Sequence, residues 1–351
     1  MLADMGADVV KVEPPKGDPM RTLNPITNER GPSPYHALVN AGKRVITLDL
    51  KSEAEISNFQ ELVRAADVLL ESYRPGVMKR LGFGWEALQT INPKLVHCAL
   101  SGFGQNGPLR LTAGHDINYV AAAGQLGLTG AEASPHPAFP MVADYAGALQ
   151  ATISILGALI GRGASGKGAF IDVAMTDAVL AWQSQTLAAT QLGDAVARGQ
   201  NMLTGGAAFY RVYQCSDEKF ICLGAIEEAF WSNFCQAVDK PEWISRQHEE
   251  LPQTALIDDL ERLFMTKTQD QWRRYFEDID CCFQVLLTPD QISAFPQHHA
   301  RKIIGKIAMP NYGELNTSLY PAWVNGAPPN QRSEVQFSNV TAVLKDWDKP
   351  S

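Results

Sequence analysis

Cysteine is sparse and unpatterned in this chain. Six occur in 351 residues, with no C-x-x-C pair and no Cys/His spacing of the kind that holds zinc, so neither a thiol-redox motif nor a structural metal site is written here. Cys281 and Cys282 are neighbours, while Cys98, Cys215, Cys222 and Cys235 are scattered. That usage fits reduced thiols and predicts a cytoplasmic protein. Cations are in deficit: 30 Lys and Arg stand against 38 Asp and Glu, for a net charge of −8. Nucleic acid is thereby excluded as a partner, since phosphate backbones call for concentrated Lys and Arg. A single phosphate-bearing cofactor needs only a few local cations and is not excluded. Long apolar runs are missing as well. The most apolar stretch, after Asp144, carries Gly157 and Gly161, which should break it short of the roughly 18–20 residues of a membrane span. No membrane partner is expected, and the opening residues lack the basic region and cleavage site of a signal peptide.

What is present is ordinary globular composition, 45% apolar and 19% charged, in a chain long enough for two domains. Strand-like runs stand at 8–13, 44–50 (RVITLDL), 67–73 (DVLLESY) and 95–102 (LVHCALSG). Between the second and third lies a helical pattern, SEAEISNFQELVRAA, with Ser52 placed as N-cap. Strand, helix, strand at spacings of about 23–36 residues is the signature of βαβ units and a parallel sheet. After Asp144, the residues Gly147, Ala151, Ile155 and Leu159 recur at a helical period. A strand at 169–175 and a helix around 177–187 follow. The polar, Gly-rich passage 193–206 reads as a linker, and FYRVYQCSDEKFICLGAI as two strands joined by a turn at 216–219. The expected fold class is α/β: a Rossmann-like parallel-sheet domain over 1–190, a linker over 191–210, and a smaller α+β domain over 211–297.

Two short motifs imitate nucleotide sites. GFGQNG, from Gly102 to Gly107, satisfies G-x-G-x-x-G after a strand, but Pro108 follows at once, no helix pattern opens, and no acidic residue stands about 20 positions on. It reads as a tight loop at a strand's end. GRGASGK has the phosphate-loop spacing, yet Gly168 replaces the Ser or Thr that would hold magnesium, and the order is helix then strand. It reads as a helix-to-strand turn.

Three titratable residues stand out. His115 beside Asp116 reads, on its own, as a surface or satisfied core histidine. Asp144 falls just ahead of a helix start, where unpaired N–H groups favour an anion, and reads alone as an N-cap. Glu227 reads alone as part of a solvated face. His115 and Asp144 are 29 residues apart, so only the fold can bring them together.

The phrases AGHDINY, the DYAG helix, GKGAFIDVAMTDAV and GAIEEAFW resemble the CaiB/BaiF, or family III CoA-transferase, superfamily, and within it most closely the alpha-methylacyl-CoA racemases. The resemblance covers essentially the whole chain. It implies that 298–351 returns to the large domain and that two chains interlock as a homodimer. It also implies that members carry a strand, a turn and most of a helix ahead of the point where this chain begins, including a turn that helps hold the nucleotide end of CoA. The activity implied is epimerisation of a 2-methylacyl-CoA by two-base proton abstraction and return, with His115 and Asp144 as the bases and Glu227 as partner of His115. Asp116 is placed as a structural neighbour, and backbone N–H groups of the helix after Asp144 as donors to the enolate oxygen. The alternative implied is CoA transfer between carboxylic acids through an aspartyl-CoA thioester at Asp144. A catalytically inactive CoA-binding protein is a third reading. Coenzyme A enters as part of the substrate, with no prosthetic group and no metal. Its expected contacts are Leu48, Lys51, Ser72, Tyr73, Val77 and Arg80, and Pro14 stands where several members carry an Arg.

Overall fold

A computed structural model describes residues 1–23, 33–131, 133–194, 196–309 and 312–348. Contacts group the chain into two units: Met1–Leu111, Ala148–Val173 and Pro289–Ser351 in the first, Thr112–Gly147 and Ala174–Thr288 in the second.

The first unit contains two three-stranded sheets. In one, Arg44–Thr47 is the central strand, parallel to Val10–Glu13 on one side and to Gln336–Phe337 on the other, with Arg44 opposite both Val10 and Gln336. In the other, Val96–Ser101 lies between Val68–Glu71 and Ala169–Ala174, and Val68 pairs in parallel with Val96. The helix Glu53–Ala65 follows Ser52, whose extended backbone makes it the N-cap although its side chain makes no capping bond. Phe59, Leu62 and Val63 recur on one face and are buried with Ile46, Leu48, Leu88 and Leu95. Val340 and Val343, from the helix Val340–Trp347, join the same core. Each such side chain, fully buried, contributes about 1.5–3 kcal/mol. Arg44 then ties the sheet to both ends of the chain, through Asp8 and, at 3.0 Å, Asp346. An antiparallel hairpin, Ile304–Met309 with Gly313–Ser318, had no counterpart among the expected strands.

The stretch after Asp144 corrects the expectation of a broken apolar run. It forms one helix, Val142–Ser165, of 24 residues that passes through Gly157 and Gly161 without interruption. By length and mean hydropathy, 1.3, it is sufficient to cross a membrane. Glycine inside a helix costs only about 1 kcal/mol relative to Ala. Burial of Ala151 and Ile155 against Val96, Cys98 and Val173 outweighs that. Arg162 in the last turn donates to Asp67 at 2.7 Å and to the Lys94 carbonyl at 3.2 Å. The chain then turns at Gly166 into Ala169–Ala174. Gly168 donates its N–H to the Pro93 carbonyl at 2.9 Å, and a Cβ there would lie 1.9 Å from the Leu95 carbonyl oxygen. GRGASGK is therefore the end of a helix and a turn into a strand. The GFGQNG segment leaves the strand Val96–Ser101 as a loop whose Gln105 N–H donates to both carboxylate oxygens of Asp172, at 3.0 and 3.2 Å. The next helix opens only at Asp116.

In the second unit, Phe220–Gly224 is flanked antiparallel by Tyr210–Gln214 and Phe283–Val285. The turn between the first two closes with Cys215 N–H on the Lys219 carbonyl at 2.8 Å. Helices Glu228–Ala237, Thr254–Phe264 and Gln269–Tyr275 pack Trp231, Phe234, Phe264, Trp272 and Phe276 into one core. The two buried indole N–H groups reach the carbonyls of Trp243 and Phe264, at 3.0 and 2.9 Å, as buried indoles require. Gln253 is wholly enclosed: its amide donates to the carbonyls of Arg246, Gln247 and Glu249, and its oxygen accepts the Ala208 N–H at 3.0 Å. Part of the Gly-rich passage is a hydrogen-bonded turn, in which Asn201 accepts the Ala197 N–H and Thr204 donates to the Ala197 carbonyl. All six cysteines are free.

Candidate active site

His115, Asp116, Asp144 and Glu227 all belong to the second unit. His115 stands in extended backbone as the N-cap of the helix Asp116–Ala122, and its own N–H donates to Asn118 Oδ1 at 3.0 Å. The turn before it depends on Gly114. A Cβ at that position would meet the Tyr119 ring at 2.7 Å, and the Tyr119 hydroxyl donates to the Gly114 carbonyl at 2.5 Å. Gly114 is thus held close against the Tyr119 ring, and His115 is presented at an exposed helix start.

Asp144 is inside its helix, in the first turn, rather than ahead of it. The helix starts two residues earlier, and the position before Val142 is Met141, which offers no side-chain acceptor. The missing cap is supplied from a distance. Asp116 accepts the N–H of Ala143 at 2.6 Å and of Asp144 at 3.1 Å, placing a negative charge where the helix dipole favours one. Asp116 therefore binds the turn carrying His115 to the turn carrying Asp144. It also leaves the N–H groups of Ala143 and Asp144 engaged. Burial first, and the Asp116 charge second, push the Asp144 carboxyl above the ordinary aspartate range, while the charge of His115 pulls it back. Imidazole and carboxyl are thus close enough to act on one another electrostatically. Sequence reasoning passed over Asp116 as a brace. The signal was an apolar helix start, Pro140-Met141-Val142, without a capping residue of its own.

Glu227 is the exposed N-cap of Glu228–Ala237. Its charge acts on Cys282, and no hydrogen bond or ion pair joins it to His115 among the described residues. Glu228 faces His248 at 3.5 Å on the surface.

The residues expected to meet CoA lie in the first unit. Ser72, Tyr73, Val77 and Arg80 share one turn and the short helix Val77–Arg80 after the strand Val68–Glu71. Ser72, Tyr73 and Arg80 are exposed and Val77 is half-buried. Lys51 is exposed after the strand Arg44–Thr47, whereas the Leu48 side chain is part of the core, only 4% exposed. A grouping that could hold a metal also lies here: donor atoms of Glu13, Asp18 and His36 are within 4.8 Å of one another. The chain already provides its cations, since Lys11 pairs with Glu13 and Asp18, and Arg21 donates to Glu13 at 2.9 Å.

Comparison with known proteins gives this geometry its context. The alpha-methylacyl-CoA racemase of Homo sapiens is 34% identical over 306 residues, which are 83% of this chain and 74% of that protein. The acetyl-CoA:oxalate CoA-transferase of Acetobacter aceti is 35% identical over 324 residues, 88% of this chain and 82% of that one. Among solved structures, a CAIB/BAIF family protein from Brucella suis superposes with a TM-score of 0.82 at 27% identity, covering 99% of this chain and 93% of its own. The profile of CoA-transferase family III matches residues 1–335. With its parallel strand pairs, and with relatives that include both racemases and transferases, the chain belongs to CoA-transferase family III.

Proposed function

We propose that this member of the family epimerises a 2-methylacyl-CoA, with His115 and Asp144 as the two bases. The observation that carries the reading is the Asp116 bridge, which holds an imidazole-bearing turn and a carboxyl-bearing turn in one locality from positions far apart in sequence. One base removes the proton from the carbon next to the thioester, leaving an enolate, and the other, protonated, returns a proton to the opposite face. A carboxyl displaced upward, toward the working pH, is suited to both holding and releasing that proton. Glu227 is kept in this proposal as the partner of His115, a role that requires it to reach the ring once substrate is bound. Coenzyme A is held as part of the substrate by the Ser72–Arg80 segment, with Lys51 and Arg80 on phosphates and Tyr73 and Val77 on adenine or ribose, and Leu48 contributing through its backbone. The chemistry calls for no prosthetic group or metal.

Transfer of CoA is the second reading, favoured by the similarity to the Acetobacter aceti transferase. Asp144 would attack the acyl carbonyl and expel CoA thiolate, giving a mixed anhydride. The thiolate would then attack the Asp144 carbonyl, releasing the acid and leaving an aspartyl-CoA thioester. A chiral 2-methylacyl-CoA incubated in deuterated water decides between them. Deuterium at C2 without any acyl acceptor, lost in His115→Ala, supports the racemase. Hydroxylamine trapping at Asp144, with CoA passing to an added acid and no label at C2, replaces it with the transferase.

The proposal includes a homodimer in the cytoplasm. Tyr145, Leu149, Ile153 and Ile160, 53, 40, 62 and 80% exposed, form an apolar stripe along the helix Val142–Ser165. A second copy covering that stripe accounts for it without a membrane, and six free thiols accord with a reducing compartment. Light scattering at twice the chain mass is the expected result.

A further inference from the structure

The strand Val96–Ser101 places His97 in an unusual position. The residue is 3% exposed, and both ring nitrogens are without a hydrogen-bond partner. Its ring packs against Trp85, with centroids 6.2 Å apart, and Phe170, edge-on at 5.1 Å, and those two rings also touch each other. On the neighbouring strand, Glu71 Oε1 is 4.0 Å from His97 Nε2. The other carboxylate oxygen, Oε2, accepts the Tyr73 N–H at 2.6 Å. An unpaired buried ring is costly, roughly 1–3 kcal/mol. A phenyl ring of the same shape would fill the space without that cost, so packing alone does not explain a histidine.

We propose that His97 is a positioning residue: it steadies Glu71, and Glu71 steadies the backbone of the turn that presents Ser72 and Tyr73. A small rotation of the carboxylate, or one bridging water, closes the 4.0 Å gap. His97 touches no ligand and acts only through the Glu71 carboxyl. The strand register fits this role, since Leu69 lies opposite His97 and Glu71 opposite Ala99, so His97 and Glu71 are diagonal neighbours two positions apart on one face of the sheet. Burial pushes the imidazole down to about 4, so the ring is neutral and keeps one N–H, which the Glu71 carboxyl can accept. The other titratable groups at this sheet are directed elsewhere. Asp172 is engaged by the Gln105 N–H, and the Cys98 thiol packs in the core on the other face.

The consequence for ligand affinity rests on the reading of Ser72 and Tyr73 as CoA contacts, so the test separates the two. Hydrogen exchange over residues 68–76 and CoA affinity by calorimetry are measured for the full chain and for His97→Phe, His97→Gln, Glu71→Leu and Glu71→Gln. We expect His97→Phe to melt at the same temperature or higher, to exchange its Tyr73 amide faster, and to bind CoA about tenfold more weakly. Glutamine at 97, which can still reach the carboxylate, should restore exchange and affinity to within about threefold of the native values. Glu71→Leu should reproduce the loss and Glu71→Gln should not. Native exchange in His97→Phe, or in His97→Leu if the phenyl ring is not accommodated, overturns the brace. Faster exchange in His97→Phe, with a native chain that takes no CoA, leaves the brace standing and overturns the ligand reading instead.

Discussion

Asp116 and Asp144, 28 residues apart, are joined by a hydrogen bond from the Asp144 amide to the Asp116 carboxylate at 3.1 Å. One carboxylate therefore has two effects on the other: it fixes the backbone beneath it and raises the proton affinity of its side chain. Both effects are open to measurement.

Replacing Asp116 with Asn removes the like charge and weakens the hold on the helix start. The Asp144 carboxyl then falls back toward ordinary aspartate, so the acid limb of the pH–rate profile for C2 exchange moves to lower pH. The rate at the optimum should fall on the order of 10–100-fold as the two turns lose alignment. An unmoved acid limb in the deuterium-uptake profile would show that Asp116 does not tune Asp144.

Gly114→Ala places a methyl group 2.7 Å from the Tyr119 ring. Either the ring or the His115 turn must shift, at a cost of about 1–3 kcal/mol. Urea unfolding should show that loss, and Gly114→Ala combined with Tyr119→Leu should recover part of it by making room.

Glu13 governs behaviour in acid. Burial opposes its charge, but hydrogen bonds from Arg21, His36 and the Asp18 amide prevail and hold the carboxyl at about 2, below its ordinary 4.5. A depressed carboxyl contributes stability that is complete above about 4.5 and is lost as pH falls through about 2. Glu13→Gln should cost about 3 kcal/mol at neutral pH, by leaving Arg21 without its buried partner. It should also flatten the fall in stability between pH 4.5 and 2, read by denaturant melts at stepped pH.

Gln253→Leu tests the second unit's interior. The substitution strands the Ala208 N–H, at 0% exposure, and frees three carbonyls. A loss of about 2–4 kcal/mol is expected from unpaired buried groups, and thermal melts followed by tryptophan fluorescence report it. A loss below 1 kcal/mol would mean that water reaches these groups.

Much of the first unit was legible in sequence because parallel strands and amphipathic helices write themselves locally. The runs around Val45, Leu69 and Cys98 were placed to within a few residues of the observed strands, as was the helix after Ser52. Where long-range contacts decide, reading failed. Gly157 and Gly161 do not break their helix, because the burial of Ala151 and Ile155 is settled by partners distant in sequence. The pairing of Gln336 and Phe337 with Arg44 and Val45 involves only two residues of strand, too short for a periodic signal. At the candidate site, residue types alone gave only a surface histidine and a helix cap for His115 and Asp144, and the family resemblance singled them out, while the role of Asp116 depended on a cap that the helix lacks and a carboxylate supplies from elsewhere. His97 gave no signal, since one histidine in an apolar strand looks the same whether it packs or positions.

The turn around Gly168 bears on how this protein can be handled. A short run of Gly, Ser and Lys after a long helix is where one would ordinarily graft an affinity tag, an epitope or a fluorophore. With the Leu95 carbonyl lying where any Cβ at Gly168 would go, and the Gly168 amide committed to Pro93, this apparently permissive spot should reject side chains and insertions alike. Saturation libraries should return glycine there.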